Sequence, residues 1–564
     1  MLNAQQPFAS DLQIPKATYD RPSGQRSQSR SVVLASHGIV ATSHPLAAEV
    51  GLDILKRGGN AFDAAIATNA MLGLVEPMSC GIGGDLFAIC WDAKTRKLSG
   101  LNASGRSPFS LSRKVFSDQG LDQIPTYGPL SWSVPGCVDG WAQLNSRLGS
   151  LPLADLLAPS IEYADGGFPV TEVIAGYWNS AEPRLAEWED SAMTYLPNGR
   201  ALRQGEMFRN PHLAASYREI AEHGRDAFYR GSIADEIVAF SRRNSGYFSK
   251  RDFEEHSSEW LDPVSTDYRG HTVWELPPNG QGIAVLQMLN ILEQFDVASL
   301  GHNSADLLHL IVEAKKLAFA DRATFYADPA FGEFPIAELI SKKYAQRQRK
   351  RISFDRAATD VPPGDPKLSR GDTVYLTVVD KDRNCCSLIQ SIYYGFGSQV
   401  VPGNTGFALQ NRGNLFALDD THLNRLEPHK RPFHTIIPGF VTRDDLPYFC
   451  FGVMGGDMQP QGQTQVLLNL IDFGMNVQAA GDASRICHFG SQTPTGLPMA
   501  AGGGSVGIES GVSADAAQGL VQRGHQLIHT RGSFGGYQGV LIDWDNGVLH
   551  GATEPRKDGA AVGY

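Results

Sequence analysis

Apolar and polar positions divide the chain into a largely helical N-terminal part and a C-terminal part with the alternating texture of strands. Residues 1–31 are polar, with Gln, Ser and Arg recurring, and read as a flexible lead; residues 32–42 predict one short strand. Ser43 followed by Pro45 is a helix start, with Leu46, Val50, Leu52 and Leu55 turned inward until Gly58-Gly59-Asn60 breaks the helix. An alanine-rich helix follows from Ala61 to Leu74. The run Cys80-Gly81-Ile82-Gly83-Gly84-Asp85 then leads into a strand from Leu86 to Trp91. It lacks the Gly-Lys-Ser/Thr of a phosphate loop and the strand–glycine–helix order of a dinucleotide site, so it reads as a tight turn, structural or beside an active site.

Residues 136–250 are mainly helical, most clearly over Gly140 to Leu148, Leu153 to Ala164 and Pro211 to Phe228, with Pro159 expected to kink or interrupt the second. A strand at 270–276, an apolar helix at 283–294 and a long amphipathic helix from Ala305 to Asp321 come next. Positively charged 342–351 and the run Pro362-Pro363-Gly364-Asp365-Pro366 mark an exposed connection, long and mobile enough to be drawn through a cleavage site. From Thr373 the pattern turns to strand: 373–380, a turn at Lys381-Asp382-Arg383-Asn384, and a return over 385–391. Strands at 435–442, 447–454, 537–543 and 547–550 and helices at 461–472 and 476–485 complete a layered α+β or α/β body.

Composition narrows this picture. A chain of 564 residues needs two domains or one large composite fold, and 42% apolar content excludes a disordered chain. A net charge of −11 does not suggest nucleic acid or an anionic membrane as partner. There is no apolar signal region and no membrane-length apolar span, so cytoplasm is the expected location. The seven cysteines show no CxxC spacing and read as buried thiols. The histidines, His302 and His309 among them, show no metal-ligand spacing, and neither a metal nor a cofactor is expected.

One residue carries candidate chemistry. Thr373 stands where a polar patch ends at Gly371-Asp372 and a strand begins. A threonine hydroxyl is a weak nucleophile alone, but a chain cut before Thr373 gives it an α-amine of pKa about 7.7–8.0, a base suited to neutral pH. Its hydroxyl can first attack the preceding carbonyl in an N-to-O shift, and hydrolysis then frees the amine.

Four runs resemble the γ-glutamyltranspeptidase family of N-terminal-nucleophile hydrolases. They are His37 to Ala47, Gly58-Gly59-Asn60 through Ala67, Pro77 to Asp85, and Glu554 to Tyr564, so the resemblance covers about residue 36 to the last. It implies a four-layer αββα fold and a precursor cut between Asp372 and Thr373. Fragments 32–372 (behind the lead) and 373–564 then form one composite heterodimer, itself open to further dimerisation. It places the nucleophile on Thr373, a supporting hydroxyl on Ser391 and the oxyanion-binding amides on Gly455 and Gly456.

The substrate positions depart from the family pattern. The arginine of the family's Arg-Glu-x-Ala-Pro run, which holds the substrate α-carboxylate, is matched by Ser104, with Arg106 two residues later. Tyr393 stands for an asparagine, Asn414-Leu415 for an Asp-Asp pair that binds the α-ammonium, and His434-Thr435 for a Ser-Ser pair at the α-carboxylate. Catalysis retained with the amino-acid clamp replaced implies a self-processing amidohydrolase or acyltransferase. Its substrate would be a small carboxylate-bearing amide, as in a divergent branch near cephalosporin acylases and oxamate amidohydrolase, with Arg106 or His434 as anion contact. The alternatives are a true glutathione-type γ-glutamyltransferase and a catalytically silent binding module of the same fold.

Overall fold

The computed structural model describes residues 28–361, 372–530 and 532–564. The predicted lead before residue 28 and the proline-rich run at 362–366 lie outside the described residues.

Two antiparallel sheets of seven strands form the middle of the molecule. Their strands in chain order are β1 (Val33–Ala35), β2 (Ile39–Thr42), β3 (Asp85–Asp92), β4 (Lys97–Ala103), β5 (Glu259–Leu261), β6 (Val264–Tyr268) and β7 (His271–Glu275). After residue 371 come β8 (Asp372–Val379), β9 (Cys385–Tyr393), β10 (Gly439–Arg443), β11 (Leu446–Met454), β12 (Gly536–Asp543), β13 (Val548–Thr553) and β14 (Ala560–Gly563). One sheet runs β14-β2-β8-β9-β3-β4-β5 and the other β1-β13-β12-β11-β10-β7-β6. Each therefore mixes strands from both sides of residue 373.

Strand alternation sorts the core into layers. In β8, Val374, Leu376 and Val378 pack into the cluster formed by the helices Pro45–Lys56, Ala61–Val75 and Leu153–Gly166, whereas Tyr375 and Val379 face the space between the sheets. In β11, Cys450 and Met454 look into that same space. Phe449, Phe451 and Val453 look outward, to the helices Ile283–Leu292, Ala305–Phe325 and Met458–Ile471. The order is helix, sheet, sheet, helix, the αββα arrangement the resemblance implies. The sheets approach so closely that a Cβ on Gly452 would stand 2.5 Å from the Tyr375 ring. All 15 residues of Ala61–Val75 are buried, and Asn60 caps that helix through the N–H groups of Phe62 and Asp63.

Several boundaries differ from the sequence pattern for local reasons. Residues 32–42 form two strands in different sheets, because the chain crosses at Ser36-His37-Gly38. Pro159 sits inside an unbroken helix, while Gly224, at φ 65°, splits the expected Pro211–Phe228 helix in two. Only Gly439–Arg443 of the expected 435–442 strand pairs, since His434-Thr435 turn into side-chain bonds within the site. No helix among the described residues is long and apolar enough to cross a membrane. All seven cysteines are buried and free.

Candidate active site

Thr373 sits near the start of β8, 2% exposed. A β-bulge falls there: Asp372 pairs with Tyr393 but Val374 with Gln390, so Ser391 and Ile392 together stand opposite Thr373. Such a bulge locally bends a strand and re-aims a side chain. Thr373 Oγ1 lies 3.4 Å from Ser391 Oγ, and Gln459 Nε2 points at it from 3.4 Å. Both contacts are long for hydrogen bonds and leave the hydroxyl loosely held. Ser391 Oγ accepts the Tyr393 N–H at 2.8 Å, and Gln459 Oε1 accepts the Ile437 N–H at 2.9 Å, so both partners are fixed by backbone.

Gly455 and Gly456 make the turn from β11 into the Met458–Ile471 helix, with φ of 117° and 57°. Both values lie where a side chain is strained, so the turn requires glycine. A Cβ on Gly455 would also stand 3.2 Å from the Cα of Gly535. Gln281 braces the turn, donating to the carbonyls of Gly456 (3.0 Å) and Thr435 (2.7 Å) and accepting from Arg322 Nη1 at 2.6 Å. Arg322 also holds Asp457 at 2.5 Å. Burial alone would raise Asp457, but Arg322 keeps its carboxyl below the usual range.

Two cavities adjoin this turn. The larger, about 700 Å³, is lined by Thr373, Gly455, Met454 and Gln399 and also by Tyr127, Tyr177, Arg184 and Lys557. The smaller, about 240 Å³, is lined by Arg322, Tyr393, Tyr394, Asn414 and Leu415, with exposed Asp122 at its rim. Asp457 borders both.

The sequence-predicted substrate residues separate into three groups. Tyr393 and Asn414 line the smaller cavity, where Asn414 also donates to the Ile124 carbonyl at 2.6 Å. His434 and Thr435 are buried beside it. His434 Nε2 faces Asp85 Oδ2 at 3.1 Å, and Thr435 Oγ1 accepts from Arg412 Nη1 at 2.7 Å. Burial, and then the Arg412 charge, hold His434 well below its ordinary pKa, while burial pushes Asp85 up to about 7 against the pull of Arg412. Ser104 and Arg106 line neither cavity. Ser104 bonds Asn102 Oδ1 at 2.7 Å, and Arg106 is held by Glu259 at 3.1 Å and the Ser257 carbonyl at 3.3 Å.

The glycine run Cys80–Asp85 lies directly behind the site: a Cβ on Gly84 would stand 2.3 Å from the Ser391 carbonyl oxygen. Close approach of two backbones, not ligand binding, explains that glycine. Asp321-Arg322, adjacent at the end of a long helix, reads from the sequence as a structural ion pair, but Arg322 pairs with Asp457 while Asp321 accepts from Gln287 and Tyr344. Gln459, Asp457 and Arg412 escaped the sequence reading. The signal for Gln459 and Asp457 was their place beside the glycine pair. For Arg412 it was an arginine two residues before Asn414.

The fold also gathers His309, Glu313 and His525, their ligand atoms within 4.8 Å of one another. His309 Nδ1 already meets His525 Nε2 at 2.8 Å, and Glu313 is paired with Lys316 at 2.8 Å, so hydrogen bonds account for the cluster.

The fold and this threonine-centred cleft define a four-layer hydrolase with a threonine nucleophile. The γ-glutamyltranspeptidase family model matches residues 47–564, and the chain belongs to that family. It is 38% identical over 94% of its length, and 99% of the relative's, to the glutathione hydrolase-like YwrD proenzyme of Bacillus subtilis. It is 33% identical to the oxamate amidohydrolase proenzyme of Klebsiella pneumoniae, over 94% of this chain and 99% of that one. The crystal structure of cephalosporin acylase from Bacillus halodurans superimposes with a TM-score of 0.87 at 44% identity, covering 98% and 99% of the two chains. The chain is thus an enzyme, and the silent binding module expected as an alternative falls away.

Proposed function

We propose that the chain cuts itself between Asp372 and Thr373 and then hydrolyses small carboxylate-bearing amides through an acyl-enzyme on Thr373. The observation that carries this reading is the position of Thr373 Oγ1, bordering the larger cavity next to Gly455 and within 3.4 Å of Ser391 and Gln459. The relatives' description as proenzymes agrees with self-cleavage into fragments 1–372 and 373–564. In the cut protein the Thr373 amine takes the hydroxyl proton as Oγ1 attacks the amide carbonyl, and passes it to the leaving amine. The N–H groups of Gly455 and Gly456 bind the oxyanion, and water releases the acid.

A short anionic acyl group suits the smaller cavity, whose volume is about 240 Å³ and whose wall includes Arg322. Asn414-Leu415 offers an ammonium group no carboxylate, and Asp457 is already occupied by Arg322. The relatives' names divide between glutathione hydrolase and oxamate amidohydrolase, and a direct assay decides. Oxamate, succinamate and γ-glutamyl-4-nitroanilide are compared, with and without an acceptor dipeptide. The anionic half-amides should be favoured at least tenfold in kcat/KM, with little gain from the acceptor; glutathione-type turnover as fast would sink the substrate assignment. Seven buried, free thiols fit a reducing cytoplasm, where we place the protein.

A further inference from the structure

Arg412 is the buried cation least accounted for by the fold. It opens the short turn Arg412–Leu415, which delivers Asn414 and Leu415 to the smaller cavity. Its side chain is fully buried. Nη1 is spent on Thr435 Oγ1 at 2.7 Å, but Nε and Nη2 meet no hydrogen-bond partner among the described residues. These two nitrogens form one side of the guanidinium fork, the side that takes a carboxylate through two parallel bonds. Leaving that side unmet in a dry interior is costly, and an anion would remove the cost.

Among the described residues no carboxylate meets this demand. Asp85 is near enough to influence Arg412 electrostatically, yet Asp85 Oδ1 accepts from Gly105 N (2.9 Å), Gly136 N (3.1 Å) and Gln410 Nε2 (2.8 Å), and Oδ2 faces His434. Arg412 packs on the ring of Tyr393, a lining residue of the smaller cavity, whose ring centre lies 4.6 Å from the guanidinium carbon. Tyr393 has φ 80°, a conformation a bulky residue keeps only under constraint, and its N–H is bonded to Ser391 beside the nucleophile.

We propose that Arg412 is the anion-binding residue of the acyl subsite: with the Tyr393 ring displaced, Nε–H and Nη2–H grip the free carboxylate of a short dicarboxylic half-amide and aim its amide at Thr373. The bond to Thr435 fixes the fork so that its open side is the one presented. The same charge repels the α-ammonium of a γ-glutamyl group, so one residue selects the anion and rejects the zwitterion. This inference rests on the anionic acyl group proposed above, and it moves the anion contact from Arg106 and His434 to Arg412.

The test uses the processed protein and three 4-nitroanilides: succinyl (anionic), its methyl ester (neutral) and γ-glutamyl (zwitterionic). The wild type should prefer the succinyl anilide to its ester at least tenfold. Arg412→Gln should lower that anion-to-ester ratio about ten- to hundredfold, chiefly through KM. Arg412→Lys, which keeps charge but loses the two-pronged side, should lower it less. The two fragments on a denaturing gel report that each variant has folded and processed. If the wild type prefers the anion and both variants keep the full ratio, the Arg412 assignment is wrong while the proposed function stands. If the wild type shows no such preference, the anionic acyl group fails and Arg412 with it. Should Arg412→Gln not process, the lysine variant alone decides, an unchanged ratio overturning the proposal.

Discussion

The Thr373 hydroxyl is poised by contacts that are individually weak. Ser391 Oγ, at 3.4 Å, is held in place by a 2.8 Å bond from the Tyr393 amide. Ser391→Ala removes this contact together with the acceptor of the Tyr393 N–H, and kcat should fall about ten- to hundredfold with KM within about threefold, the range expected for one orienting hydrogen bond. Stopped turnover assays on processed protein check it, and an unchanged kcat would leave Ser391 no part in the reaction. A second prediction concerns Asp85, whose carboxyl is pushed up to about 7 by burial. An acid with a raised folded pKa binds more protons folded than unfolded. Its contribution to stability is therefore complete below about pH 4 and is lost as pH climbs through 7. The Tm difference between wild type and Asp85→Asn, measured from pH 4 to 8, should shift against the wild type as pH rises; a flat difference would show that Asp85 is ionised throughout. At this scale the family resemblance proposes Thr373, Ser391 and the glycine pair, each by its match to a family position. The sequence could not disclose what Arg322 and Gln281 do, because their meaning comes from a bond between side chains 41 positions apart.

Elements, rather than residues, set where the amides proposed to bind the oxyanion point. The turn after β11 holds Gly455 at φ 117°, with the Gly535 backbone 3.2 Å from any added Cβ. Gly455→Ala must shift this turn, and kcat should drop about 10²- to 10³-fold, the loss seen when one oxyanion donor is displaced. Self-cleavage should slow as well if the same amides serve it, which a time course of fragment appearance would show. Three residues earlier in β11, Gly452 tests the packing between the two sheets instead. Gly452→Ala places a methyl 2.5 Å from the Tyr375 ring and should destabilise the protein by about 1–3 kcal/mol with kcat little changed. Elements with strong local patterns were readable in advance: the β8–β9 hairpin, the Ala61–Val75 helix and the long Ala305–Phe325 helix. Elements defined by distant partners were not. β4 and β14 carry little alternation, and β14 exists because β2, over 500 residues earlier, offers it an edge at Ile39–Thr42. The crossing at Ser36-His37-Gly38 was equally invisible, since both flanking runs are apolar and only the sheet order separates them.

For the whole molecule, the position of the proposed scissile bond, Asp372–Thr373, within the sheet decides what cleavage there would do. β8 begins at that bond and lies between β2 of the first fragment and β9 of the second, and β9 in turn pairs with β3 of the first. In the other sheet β13 pairs with β1, and β10 with β7, again across the two fragments. Pulling the fragments apart would strip β2, β3, β1 and β7 of ladder partners and open the core between Tyr375, Phe87 and Ile389 to water. Burial on that scale exceeds what any single bond contributes, so a cut backbone should not loosen the body. The processed protein should therefore migrate as two fragments on a denaturing gel yet elute from a sizing column in buffer with both fragments in one peak, at 61.1 kDa or a multiple of it. Thr373→Ala, which cannot cut itself, should elute at the same position and unfold within a few degrees of the processed form. Fragments that separate in buffer would mean that the interleaved sheets depend on the Asp372–Thr373 bond, and the nucleophile could then never gain its free amine without losing the sheet that holds it.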